Sequence, residues 1–121
     1  MNNPVTDSDK AEEIFRNFFL NTLAPQFPDN ENVARAKDLV TRQPLPPSTK
    51  KESFESYKAQ LEQTVGVSAV SEAIIYGKLS DLQRGGECWS VSYSGMLTGG
   101  VSGCIDAATG EPVVVWVTPE G

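Results

Sequence analysis

From Glu87 to Ser94 the chain alternates without a break, with Trp89, Val91 and Tyr93 on one side and Cys88, Ser90, Ser92 and Ser94 on the other. A period of two marks a strand with one face buried and one face wet. The next run repeats the pattern, with Val101 and Ile105 apolar and Ser102, Cys104 and Asp106 polar. Gly95-Met96-Leu97-Thr98-Gly99 between them supplies a glycine-flanked turn. Pairing Val91 with Val101 keeps every apolar side chain on one face, since a slip of one residue would reverse the faces. That register sets Trp89 beside Gly103 and Cys88 directly opposite Cys104. The stretch Asp106 to Glu111 then reads as a second turn, with Gly110 at positive φ. Pro112 heads a last strand, and Val113–Val117 is apolar on both faces. Such a run is either buried on both sides or covered on one by a partner.

The front half follows a different period. Ala11, Ile14, Phe15, Phe18, Phe19, Thr22 and Leu23 recur at helical spacing after candidate N-caps at Thr6 to Ser8. Pro25 ends that helix. Asp29 or Asn30 caps a second one, which runs to about Arg42 with Val33, Ala36, Leu39 and Val40 inward. The segment Pro44-Leu45-Pro46-Pro47 reads as an extended spacer between helices, with an SH3-type ligand as the alternative. Thr49 with Glu52 reads as a capping box for a third helix carrying Phe54, Tyr57, Leu61 and Val65 on one stripe, closed by Gly66. From Ala73 to Leu82 the alternation predicts a strand, with helix as the alternative and Gly77 awkward for it.

Together these elements predict one α+β domain over residues 1–121. Helices occupy about 7–66, and an antiparallel meander of three or four strands, about 70–118, curls against them. The expected core is Phe15, Phe18, Phe19, Leu39, Phe54, Tyr57, Leu61, Trp89, Val91, Tyr93, Val101, Ile105 and Val115. With 121 residues, 39% of them hydrophobic, the chain can bury a core of modest size.

Charge changes the functional picture. The net charge of −6 argues against nucleic acid, whose phosphates are met by Lys and Arg. Residues 67–121 carry two basic and six acidic groups, so this half suits a basic partner, although solubility alone also explains it. The opening MNNPVTDSDK is not a signal peptide, and no run reaches transmembrane length. The expectation is a cytoplasmic protein away from membranes. A periplasmic or secreted chain whose signal has been removed is the alternative.

Candidate chemistry is sparse. The chain contains no histidine, which excludes Ser-His and Cys-His nucleophiles. Phosphate-loop, dinucleotide and CxxC motifs are missing as well. Two thiols without histidine leave a zinc ion short of ligands, so no metal and no cofactor are expected. For Cys88 and Cys104 a disulfide and a pair of reduced thiols both stay open, and a cytosolic setting favours the thiols. The expectation is a protein that is not an enzyme.

The tail GECWSVSYSGMLTGGVSGCIDAATGEPVVVW resembles the end of PepSY-type domains in Trp89, Val91, Ile105, Asp106, Thr109, Gly110 and Glu111. It is also similar to small bacterial immunity proteins of NTF2-like (cystatin-like) fold, and the long helical front favours that second likeness. Either resemblance covers the last third of the chain and implies a protein that works by binding. The expected function is therefore a non-catalytic protein that blocks or neutralises a protein partner. Met96, Leu97, Val114, Trp116, Asp106 and Glu111 form the candidate surface. Two alternatives stand beside it: a small-molecule pocket between helices and sheet, and a self-assembling subunit or homodimer joined through Val113–Val117.

Overall fold

A computed structural model describes residues 4–43, 46–65, 73–94 and 100–117. Helix α1 spans Ser8–Phe18, capped by Asp7, whose carboxylate accepts from the Lys10 N–H at 2.8 Å. A π-turn over Phe19–Leu23 and a 3₁₀ turn over Ala24–Gln26 prolong it until Pro25 prevents continuation. Helix α2 spans Glu31–Arg42, with Asn30 as cap. Helix α3 spans Phe54–Val65. The strands are β1 (Ser48–Ser53), β2 (Ile74–Tyr76), β3 (Glu87–Ser94), β4 (Gly100–Asp106) and β5 (Pro112–Val117). They form one antiparallel sheet in the order β1-β3-β4-β5-β2. The α+β class expected from sequence is what the fold shows.

Helices cover this sheet on both faces, where the sequence pattern suggested one. On the first face, α1 and α2 pack Phe15, Phe19, Leu23, Val33, Ala36 and Val40 against Trp89, Val91, Tyr93, Val101, Ile105 and Val115. Phe15 stacks on Phe19 and on Tyr93, with ring centroids 6.5 and 6.0 Å apart. Phe18 is only partly buried, and Leu39 is half-buried at the rim. On the second face, α3 brings Phe54, Tyr57 and Leu61 onto Cys88, Cys104, Val114 and Trp116. The serine and cysteine side of the hairpin is therefore not the wet side: Cys88 and Cys104 are both 0% exposed.

Three local readings are corrected. The hairpin register is shifted by two residues, so that Val91 faces Gly103, Trp89 faces Ile105, and Cys88 faces Asp106 while Cys104 faces Ser90. A shift of two preserves the faces, which is why alternation could not detect it. Gly103 makes room for α1 rather than for the indole: a Cβ there would lie 2.7 Å from Cε1 of Phe15 and 2.6 Å from the Val114 carbonyl oxygen. Trp89 instead donates its indole N–H to the Val5 carbonyl at 2.8 Å, pinning the N-terminal segment across the end of the sheet.

The predicted capping box is the second correction. Thr49 and Glu52 lie in β1, a polar strand at the sheet edge, and α3 starts later, where the Ser53 hydroxyl accepts from the Ser56 N–H at 3.0 Å. Charged side chains on an exposed edge discourage pairing with other chains. Third, the predicted strand from Ala73 to Leu82 is cut to Ile74–Tyr76 and followed by a 3₁₀ turn at Leu79–Leu82. Gly77 ends it at φ 79°, and the place of its missing Cβ is taken by the Val113 carbonyl.

The second turn is as expected: Gly110 has φ 77°, and its N–H reaches the Asp106 carbonyl at 2.8 Å. The turn at Gly95–Gly99, the pair Pro44-Leu45 and the cap at Gly66 lie outside the described residues.

Candidate functional site

The β4–β5 turn places Asp106 and Glu111 at one corner of the sheet, and the 3₁₀ turn brings Asp81 and Arg84 to the same corner. Each turn is held by its own acid. Asp106 Oδ1 accepts from the Ala108 N–H at 2.8 Å, and Asp81 Oδ2 accepts from the Lys78 N–H at 2.9 Å. Arg84 joins them, donating from Nε to the Asp81 carbonyl at 2.8 Å while its guanidinium lies 3.5 Å from Asp106 Oδ2. The same guanidinium stands over the Phe54 ring, 5.3 Å from its centroid.

These groups surround an open depression of about 330 Å³, closed by Tyr76, Gly77, Pro112 and Val113. Three carboxylates and one guanidinium line it, so the corner is net negative. Tyr76 stands beside it at 38% exposure, the only exposed large hydrophobic among the described residues. Its ring meets Phe18 edge-on at 4.8 Å, which fixes it without burying it. An anchored aromatic next to carboxylates suits protein recognition. Among the described residues, no cluster of His, Cys, Asp and Glu could hold a metal ion.

The candidate surface is divided by the fold. Asp106 and Glu111 meet at the corner, but Val114 and Trp116 are buried, at 0% and 9% exposure, under α3. Trp116 donates its indole N–H to the Tyr57 hydroxyl at 3.0 Å, so its polar edge is satisfied internally. Met96 and Leu97 lie outside the described residues. Tyr76, Asp81 and Arg84 were absent from the surface expected from sequence. The sequence signal for two of them is an acid and a base three apart just before Gly85-Gly86.

Cys88 and Cys104 are free and lie diagonally on adjacent strands. The neighbouring Cys88 thiol, together with burial, pushes the Cys104 thiol up. Burial likewise raises Tyr57 far above the ordinary phenol range. Both groups are protonated and inert at neutral pH.

Compared with protein-family models, with curated proteins and with solved structures, the chain matches none. No helix among the described residues is long and apolar enough to cross a membrane.

Proposed function

We propose that this chain is a binding protein that blocks a basic protein partner, as an immunity protein or inhibitor does, and that the acidic corner is its contact surface. The observation that carries this reading is the convergence of Asp81, Asp106 and Glu111 around a depression flanked by the exposed ring of Tyr76. Carboxylates at a rim speed the approach of a basic partner, and a fixed aromatic supplies the buried contact that slows its departure. Among the described residues β2 pairs on one side only, with β5, so its outer edge adds backbone groups beside the same ring. The non-catalytic part of the reading rests on a sequence without histidine and on two thiols buried in the interior, away from any substrate.

The alternatives have less support. Stacked Phe15, Phe19 and Tyr93 occupy the space between α1, α2 and the sheet where an apolar ligand pocket would lie. Val113–Val117 is paired on both sides and covered on both faces, so its apolar character needs no second copy to explain it. A cytoplasmic setting agrees with two reduced cysteines.

The test is affinity capture from the native host extract, comparing the wild-type chain with an Asp81→Lys, Glu111→Lys variant and with Tyr76→Ala. The expected result is a basic protein retained by the wild type, released by salt and lost with either variant. A retained partner that is indifferent to all of these substitutions would overturn the assignment of the surface.

A further inference from the structure

A second concavity lies on the α3 side of the sheet, remote from the acidic corner in its lining residues, with a volume of about 260 Å³. Its floor is a ladder of hydroxyls. Register places Ser48, Ser92, Ser102 and Trp116 in one row across four strands, and Lys50 and Ser90 in the next. Leu61, Tyr57 and Gln60 of α3 form the opposite wall.

The decisive group is Glu52. Its side chain is only 8% exposed, and Oε1 is fully occupied, accepting from Ser56 Oγ at 3.0 Å and from Gln60 Nε2 at 2.7 Å. Oε2 is buried and accepts no hydrogen bond among the described residues, and the Lys50 ammonium lies 3.9 Å from it. A buried carboxylate oxygen left without a donor is costly, and Glu52 is one of the residues that line the open groove.

We infer that this groove is a binding site for a neutral, hydroxyl-rich small molecule of monosaccharide size, whose hydroxyls donate to Glu52 Oε2. Charge sets the class: Glu52 and Lys50 cancel, so a cationic ligand meets the ammonium and an anionic one meets the carboxylate. The walls set the polarity. Serine hydroxyls both donate and accept, and a partner that satisfies them must do the same. The Ser90 hydroxyl already donates to the Lys50 carbonyl at 3.3 Å and so presents its lone pairs to the groove. Leu61 and the edge of Trp116 supply an apolar patch against which the C–H face of a sugar ring can rest. The volume falls just under the range of drug-sized pockets, which fits one ring rather than a chain of them. So few contacts give weak binding, with a dissociation constant on the order of 1 mM.

Titration of the whole, isotopically labelled chain with glucose, galactose, mannose, N-acetylglucosamine and myo-inositol, followed by amide chemical shifts, tests this. Glucosamine and glucuronate serve as charged probes of the same size. The expected result is saturable shifts confined to β1, β3 and α3 with at least one neutral probe, weakened roughly tenfold or more in Glu52→Gln. That substitution keeps the acceptor for Ser56 and Gln60, so the fold survives; Ser92→Ala gives an independent loss if it does not. Absence of saturation with every neutral probe up to roughly 100 mM, tighter binding of a charged probe, or shifts centred elsewhere would overturn the site. These outcomes are independent of the acidic corner, since Asp81→Lys leaves the groove lining untouched.

Discussion

The two faces of the sheet are both buried, but by different means. Under α1 and α2 the packing is almost wholly apolar, with three stacked aromatic rings and a glycine that lets one of them reach the backbone. Under α3 the interior mixes Phe54, Leu61 and Val114 with two thiols, a hydroxyl-bearing ladder and an indole–phenol hydrogen bond. An apolar interface tolerates no extra volume, whereas a mixed one tolerates no loss of a partner. The first face builds stability, and the second carries polar groups that a ligand or partner can use.

Substitutions that probe each face should therefore fail in different ways. Phe15→Ala empties the stacked centre of the first face and should cost about 3–5 kcal/mol, read as a lower urea midpoint at unchanged slope. Gly103→Ala drives a methyl into Phe15 and the Val114 carbonyl and should cost about 1–3 kcal/mol by overpacking; the double variant Gly103→Ala, Phe15→Leu should recover part of this.

Tyr57→Phe removes one oxygen on the second face and leaves the Trp116 N–H without its acceptor, at a cost of about 1–3 kcal/mol. If Tyr57→Phe proved neutral while Phe15→Ala unfolded the chain, the second face would not depend on its polar pairs.

Alkali should sharpen the same contrast. Burial raises Tyr57, and the Cys88 contact with burial raises Cys104, so both stay protonated in the fold at pH values where the unfolded chain ionises. The stability that this protection represents is whole below the ordinary thiol range of about 8.5, and it falls as pH climbs through the thiol range and then the phenol range near 10. Cys104→Ala should flatten the earlier part of the decline and Tyr57→Phe the later part. The smallest effect belongs to Arg84→Ala, whose pair with Asp106 is partly solvated; a loss within about 1 kcal/mol is expected.

Much of this fold was legible in the chain. The 3.6-residue spacing of Ala11, Phe15 and Leu23, the two-residue alternation around Trp89, and the turn at Gly110 all gave the right elements, because each is a local matter of period or φ. What escaped is non-local. A strand of serine, threonine, lysine and glutamate looks like a helix start, and only the free edge of β3 makes it β1. Cysteine and serine opposite tryptophan and valine look like a wet face until α3 lies across them. Pairing Val91 with Val101 misses the register by two because a shift of two leaves the faces unchanged, and the ring that needs Gly103 arrives from α1. Asp106 and Glu111 were identifiable as turn acids, but their meeting with Asp81 depends on Gly77 turning the chain sharply against β5.

Covering of the second face is the claim on which the groove, the corner and the burial of Trp116 all depend, and the cysteines report on it directly. Native protein should be mixed with excess aromatic disulfide reagent at neutral pH and the release of thiolate followed over time. Cys88 and Cys104, both 0% exposed, should react no faster than the chain unfolds and should both be modified at once in denaturant. Prompt reaction of both thiols in the folded protein, at the rate of a free thiol, would contradict a face closed by α3.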